Sequence, residues 1–245
     1  MSIIDRFRRL RRSTPYVIPI PSDFDRSKTP TIEKVRPYTM TGVERIYHLI
    51  MAVEYVVAND LPGSFVECGV WKGGSMMAVA LTLLRLGDTS RELRLYDTFE
   101  GNPTPGAVDV QYDDRPASEL LASRQKTTED AYWAYSPIET VRHNMLSTGY
   151  PESKIHFIKG KVEETVPKQA PDRIALLRLD TDWYESTLHE LTHLYPRLVV
   201  GGPFIIDDYG WWKGARKAVD EYVATIDSKP LLHRVDDTCR AGIKI

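Results

Sequence analysis

The sequence contains little cysteine and no sign of export. Its two cysteines, Cys68 and Cys239, are too few for the disulfide framework of a small secreted protein. The N-terminus is basic but is not followed by the apolar core of a signal peptide. We therefore expect a cytoplasmic protein with reduced thiols.

Long apolar runs and a strong charge of one sign are also missing. No run approaches the roughly 20 apolar residues that span a bilayer, so we expect no stable membrane insertion. The formal net charge of −2 gives no support for binding nucleic acid.

Residues 1–13 are locally basic, with Ile3, Phe7 and Leu10 at helical spacing. A helix that docks on a membrane is one interpretation, and an arm that frays or contacts another subunit is the favoured one. A homo-oligomer is expected.

Short apolar runs alternate with helical patterns along most of the chain. After an N-terminal extension (1–37), whose residues 14–38 are expected to be extended, one α/β domain is predicted over 38–245. The order of elements predicts a mostly parallel sheet with helices on both faces, closed by a hairpin over 232–245. Residues 98–135 lack a clear period and are predicted to form a lid or substrate wall. The predicted parallel strands are 65–68, 93–96, 155–158, 174–179 and 204–206.

A glycine turn follows the first of these strands. The stretch Ser64-Phe-Val-Glu-Cys-Gly-Val-Trp-Lys-Gly-Gly-Ser75 combines a strand, a Gly-x-x-x-Gly-Gly turn and the start of a helix. Such a turn lets a backbone approach a nucleotide-like ligand. No phosphate-binding lysine follows, so the ligand need not be a polyphosphate. A structural turn without a ligand is the alternative.

Acidic residues follow several strands, where open α/β sheets bind ligands. Asp97 lies 23 residues after Gly74, close to the roughly 20 expected for an acid that binds ribose hydroxyls. An acid that only caps a turn is the alternative. Asp180, Asp182, Asp207 and Asp208 are expected to converge at one edge of the sheet, where their mutual repulsion favours a cation such as Mg²⁺. The alternative is a set of solvated loop acids.

Two short motifs suggest other enzyme classes. Asp180-Thr-Asp182 matches the D-x-D of metal-dependent glycosyltransferases, which is the second hypothesis for function. His189-Glu-Leu-Thr-His193 matches the zinc-peptidase pattern H-E-x-x-H. The two histidines are predicted to lie opposite the apolar face of their helix, so a surface coincidence is favoured and a zinc peptidase ranks third.

Taken together, several stretches resemble the macrocin O-methyltransferase family, class I enzymes that depend on S-adenosylmethionine and Mg²⁺. The resemblance implies a Rossmann-like class I methyltransferase fold with a seven-stranded sheet. The matching stretches are Tyr38-Thr-Met-Thr-Gly-Val-Glu-Arg45, Phe65 to Ser75, Tyr96-Asp-Thr-Phe-Glu-Gly101, Thr148-Gly-Tyr-Pro151, Gly160-Lys-Val-Glu-Glu-Thr-Val-Pro167, Leu179-Asp-Thr-Asp-Trp-Tyr-Glu-Ser-Thr187 and Gly201-Gly-Pro-Phe-Ile-Ile-Asp-Asp-Tyr209.

The resemblance also implies roles for individual residues. Asp97 would bind the ribose, Val162 and Glu163 would border the adenine, and Asp180, Asp207 and Asp208 would hold the metal. The residues implied around the methionine part of the cofactor are Glu67, Gly69, Gly73, Gly74 and Ser75, with Met40 and Thr41 nearby.

Methyl transfer to a hydroxyl needs an aligned oxygen and an acceptor for its proton. Asp182 is the predicted general base, Asp180 is possible because it lies in the same turn, and His143 is a rival expected to face solvent. The expected acceptor is a sugar hydroxyl of a glycosylated small molecule or glycan that carries a vicinal diol. The expected process is natural product biosynthesis.

Overall fold

The computed structural model describes residues 20–245. In this range the single-turn 3₁₀ helices are Arg26–Lys28, Arg36–Tyr38, Glu152–Lys154 and Tyr195–Arg197. The α-helices are α1 (Thr29–Val35), α2 (Val43–Ala58), α3 (Gly74–Leu86), α4 (Ala117–Ala122), α5 (Ile138–Leu146), α6 (Val162–Thr165), α7 (Tyr184–Leu194) and α8 (Lys213–Thr225). The strands are β1 (Ser64–Cys68), β2 (Leu93–Asp97), β3 (Ile155–Lys159), β4 (Ile174–Leu179), β5 (Pro203–Ile206), β6 (His233–Arg234) and β7 (Arg240–Ile243).

The strands form one seven-stranded sheet in the order β3-β2-β1-β4-β5-β7-β6. The first five strands are parallel, and β7 runs antiparallel to both β5 and β6. The predicted fold class, including the C-terminal antiparallel hairpin, is confirmed. Strand order reverses beside β1, between β1 and β4, which is where open α/β sheets leave a crevice for a ligand.

Both faces of the sheet are covered, which explains why its central strands read as nearly continuous apolar runs. Phe65 of β1 packs in a cluster with residues of α2 and α3, including Val53 and Met77. Val66, its neighbour, belongs to a second cluster that contains Leu191 of α7. Alternating side chains of one strand therefore stabilise opposite layers. Every residue of β1 and β4 is buried.

The segment before residue 38 differs from the prediction. Instead of a wholly extended lead-in, it contains α1, which begins at a threonine followed by Pro30 and buries Ile32 and Val35 completely. Proline suits the first turn of a helix because its missing N–H would have no partner there. The basic helix predicted for residues 1–13 lies outside the described residues, and the boundary at residue 38 stays a prediction.

The long segment 98–135 is irregular, as predicted, apart from the short helix α4. It is tied to the rest of the domain through Asp109, whose carboxylate accepts hydrogen bonds from the backbone N–H of Tyr184 at 2.8 Å and of Gly106 at 2.7 Å. Isolated bridges pair Gln111 with Trp212 and Val110 with Pro116. Across residues 20–245 no helix combines the length and apolarity needed to cross a membrane.

Candidate active site

The predicted site residues gather at the carboxyl edge of the sheet because parallel strands end there together. Cys68 ends β1 and Asp97 ends β2, while Asp180 and Asp207 directly follow β4 and β5. The backbone N–H of Asp180 bonds to Cys68 O and that of Asp207 bonds to Leu179 O. The strand ends are therefore held in register by hydrogen bonds that continue the sheet.

The glycines after β1 allow close contacts within the chain. Gly69 has a φ of +80°, and a Cβ there would lie 2.0 Å from Asp180 O. At Gly74, on the first turn of α3, a Cβ would lie 2.5 Å from Tyr38 O. Gly73 is the left-handed N-cap of α3, and Ser75 behind it is buried. These glycines have a structural reason that does not depend on a ligand.

Asp97 holds the glycine turn against β2. Its carboxylate accepts hydrogen bonds from the backbone N–H groups of Val70 at 2.7 Å, Trp71 at 3.3 Å and Phe99 at 2.7 Å. Burial raises the pKa of Asp97, while these hydrogen bonds act to lower it. Asp97 therefore caps the glycine turn. Ribose binding by Asp97 stays a prediction.

The remaining predicted cofactor residues differ in how exposed their side chains are. Thr41 is buried and shares a 2.5 Å hydrogen bond with the Thr39 hydroxyl, whereas Met40 is half exposed. Val162 is buried at the start of α6. Glu163 lines a cavity of about 190 Å³ together with Trp183 and residues of the 98–135 segment.

Three of the predicted acids form a compact cluster. Carboxylate oxygens of Asp180, Asp207 and Asp208 lie within 4.8 Å of one another. Burial raises the pKa values of Asp180 and Asp208 well above the usual range, and Asp208 Oδ2 is buried without a hydrogen-bond partner among the described residues. Oxygen ligands of this kind fit a hard divalent cation, which would compensate both their charge and the unpaired oxygen.

Two arginines that sequence reasoning missed bind the same cluster. Arg178, on β4, donates to Glu67, to Asp180 at 2.8 Å and to Asp207 at 2.5 Å. Arg45, on α2, donates to the other oxygen of Asp207. Burial alone would raise the pKa of Asp207, but the two guanidinium groups lower it. A charged residue inside the apolar run of β4 was the signal available in the sequence for Arg178, and the structure sets it directly opposite Glu67.

Asp182 lies beside the cluster in a left-handed conformation, with a φ of 67°. Its carboxylate accepts hydrogen bonds from Asn102 Nδ2 and, at 2.9 Å, from Trp212 Nε1. Burial, together with the charge of Asp180, raises the pKa of Asp182 to about 7. A carboxylate with such a pKa can accept a proton near neutral pH. His143, the rival base, is exposed on α5.

The H-E-x-x-H motif does not form a zinc site. His189 Nε2 lies 2.9 Å from Val166 O, and the rings of His189 and His193 are 4.4 Å apart. Glu190, between them in the motif, is fully buried and accepts a hydrogen bond from the Thr181 hydroxyl. In the described part of the chain, only the aspartate cluster brings three metal-ligating atoms together.

The fold and this site define a class of protein. The solved structure of the O-methyltransferase NovP matches with a TM-score of 0.74 and 32% identity, covering 84% of this chain and 82% of that one. The two chains therefore share the Rossmann-like fold of an O-methyltransferase.

The sequence relatives identify the family. The family model Macrocin-O-methyltransferase (TylF) matches residues 21–241. The 8-demethyl-8-(2,3-dimethoxy-alpha-L-rhamnosyl)-tetracenomycin-C 4'-O-methyltransferase of Streptomyces olivaceus is 36% identical over 82% of this chain and 73% of its own. The mycinamicin III 3''-O-methyltransferase of Micromonospora griseorubida is 33% identical over 76% and 70%. The chain belongs to the macrocin O-methyltransferase family and is an O-methyltransferase that depends on S-adenosylmethionine.

Proposed function

We propose that this protein transfers the methyl group of S-adenosylmethionine to a sugar hydroxyl of a glycosylated small molecule, and that the transfer depends on Mg²⁺. The observation that carries the proposal is the cluster of Asp180, Asp207 and Asp208 beside Asp182 at the carboxyl edge of the sheet. The relative from Streptomyces olivaceus is named for 4'-O-methylation of a rhamnosyl tetracenomycin, which supports a sugar hydroxyl as the acceptor.

The cofactor is assigned to the crevice around the glycine turn. Glu67, whose Oε2 is buried without a partner among the described residues, would accept the ammonium group of the methionine part, with Ser75 beside it. Asp97 would bind the ribose, and Val162 with Glu163 would border the adenine. The acidic cluster lies at the same edge of the sheet, at the ends of β4 and β5.

Asp180, Asp207 and Asp208 would hold the cation. Arg178 and Arg45 orient both oxygens of Asp207, which leaves one lone pair on each oxygen for a ligand bond. When bound, Mg²⁺ supplies a Lewis acid that makes an adjacent hydroxyl more acidic and fixes its position. A vicinal diol suits such a site because its two oxygens can bind together.

Asp182 is assigned as the general base. Transfer would form a C–O bond between the methyl carbon and the acceptor oxygen, break the C–S bond of the sulfonium, and release S-adenosylhomocysteine. The hydroxyl proton passes to Asp182, which Asn102 and Trp212 hold in place. Its raised pKa suits proton transfer near neutral pH.

The acceptor class can be tested with isotopically labelled S-adenosylmethionine. The purified protein is incubated with pairs of glycosides and their aglycones, and the products are examined by mass spectrometry. We expect label on the sugar of glycosides and none on aglycones. Label on an aglycone hydroxyl, with the glycosides unmodified, would contradict the proposed acceptor.

Cytoplasmic location and a homo-oligomeric assembly stay predictions from the sequence.

A further inference from the structure

Arg178 is a buried charge at the boundary between the proposed cofactor and metal sites. It is the penultimate residue of β4 and only 3% exposed. Its neighbour across the parallel register is Glu67 of β1. An arginine is rarely buried to this extent unless its charge is compensated by acids.

The hydrogen bonds of Arg178 divide between the two sites. Nη1 donates both to Glu67 Oε1 and, at 2.8 Å, to Asp180 Oδ2. Nη2 donates to Asp207 Oδ1 at 2.5 Å. Because Nη1 carries two N–H groups, Glu67 and Asp180 share one nitrogen of a single guanidinium group.

We propose that Arg178 is a positioning residue that couples the two sites, so that a change in charge at the metal ligands alters the affinity for the cofactor, and the reverse. The inference rests on the proposed function, which places the cofactor ammonium at Glu67 and the cation at Asp180 and Asp207. It assigns to Arg178 the role of a shared counter-ion.

The sign of the coupling follows from the shared nitrogen. When Asp180 loses its hydrogen bond from Nη1, Arg178 interacts more strongly with Glu67, which is then a weaker acceptor for the cofactor ammonium. When the charge of Glu67 is removed, Arg178 interacts more strongly with Asp180 and Asp207 and competes with a cation there. These effects are large because buried charges are poorly screened, and linkage makes the coupling reciprocal.

The first test measures binding of S-adenosylhomocysteine by calorimetry in EDTA, so that no metal contributes. Asp180→Asn removes a carboxylate that contacts Arg178. Asp208→Asn is its matched control, because this carboxylate belongs to the same acidic cluster, whereas Arg178 donates its hydrogen bonds to Glu67, Asp180 and Asp207. We expect Asp180→Asn to weaken binding about fivefold or more and Asp208→Asn to leave it within about twofold.

The reciprocal test titrates the protein with Mg²⁺ alone and does not require Asp180→Asn to fold. Glu67→Gln is compared with Asp97→Asn. Asp97 is a second acid of the cofactor crevice, and it accepts hydrogen bonds from backbone N–H groups and from the Thr98 hydroxyl. We expect Glu67→Gln to weaken Mg²⁺ binding about fivefold or more and Asp97→Asn to leave it within about twofold.

The outcomes separate the coupling from the proposed function. If the two members of either pair change affinity equally, only long-range charge is at work and the role of Arg178 is overturned. If the wild-type protein binds no S-adenosylhomocysteine, the proposed function itself is overturned, and the coupling with it.

Discussion

At the level of single residues, this protein buries ionisable side chains among its apolar layers. Glu190 on α7 is one of them: it is fully buried, Oε1 accepts a hydrogen bond from Thr181, and Oε2 has no partner among the described residues. Burial raises the pKa of Glu190 well above its usual value. The folded protein therefore holds a proton on this group over a pH range in which the unfolded chain has lost it.

Glu190→Gln should make the protein more stable at alkaline pH. Because the folded pKa is raised, this group's contribution to stability is greatest below the unfolded pKa and is lost as pH rises through the folded one. Glutamine removes that loss. We expect a melting temperature higher by roughly 2–4 °C at pH 8, with a smaller gain at pH 5. Glu185→Gln, an exposed change on the same helix, is the control. Destabilisation by Glu190→Gln at both pH values would contradict this account.

Trp212 is predicted to matter for turnover through one hydrogen bond. Trp212→Phe keeps an aromatic ring but removes the N–H that orients Asp182. The loss of one such bond should lower kcat about five- to tenfold, with the affinity for S-adenosylhomocysteine unchanged. The comparison is Trp183→Phe, which loses an indole bond to Pro103 O instead. Equal kcat values for wild type and Trp212→Phe would show that the bond does not position the base.

Helices and strands position these residues, and most of these helices and strands could be predicted from the sequence. Each of the five parallel strands lies within one residue of its predicted bounds at either end, because buried parallel strands are short apolar runs between turn signals. The rule that ligands bind at the carboxyl ends of parallel strands then located the acids of the site. The helix α1 could not be predicted in the same way, since its buried positions are few and a short helix gains its stability from tertiary packing.

The irregular 98–135 segment should depend on Asp109 for its position. Asp109→Ala removes the acceptor for the first N–H of α7 and for Gly106, a loss comparable to that of a helix N-cap, about 1–2 kcal/mol. We expect lower stability and a higher KM for the acceptor, with the affinity for S-adenosylhomocysteine unchanged. Asp113→Ala, in the same segment but exposed and paired with Arg115, should change neither. A KM unaffected by Asp109→Ala would show that this segment does not contact the acceptor.

The contacts that organise the site were beyond reach from the sequence. Arg45 and Asp207 are separated by 162 positions, and Arg178 and Glu67 by 111. A period or a spacing rule reports local structure, whereas these pairs depend on how the layers close over the sheet. The aspartates were identified because strand ends have a known place in the fold. Their counter-ions come from a helix start and from the middle of the sheet, where charge is unusual.

At the scale of the whole molecule, one edge of the sheet brings five acidic side chains together with two arginines. Glu67, Asp180, Asp182, Asp207 and Asp208 converge there. A cationic cofactor and a divalent cation would both stabilise the ionised carboxylates at this edge. Membership of the family shows that the reaction is a methyl transfer. The acidic residues at this edge of the sheet are the reason to expect that the reaction depends on a metal.

The decisive measurement for metal dependence is methyl transfer to a glycoside, with and without Mg²⁺, after EDTA treatment. The variant of choice is Asp208→Asn, because Asp207→Asn would also leave Arg45 and Arg178 short of a buried partner. Asp172→Asn, at a fully exposed acid, is the control. We expect EDTA to abolish turnover and Mg²⁺ to restore it in the wild type and in Asp172→Asn, and Asp208→Asn to remain at least about 100-fold slower. Full turnover in EDTA, or an Asp208→Asn variant as fast as the wild type, would contradict a metal-dependent site at this edge.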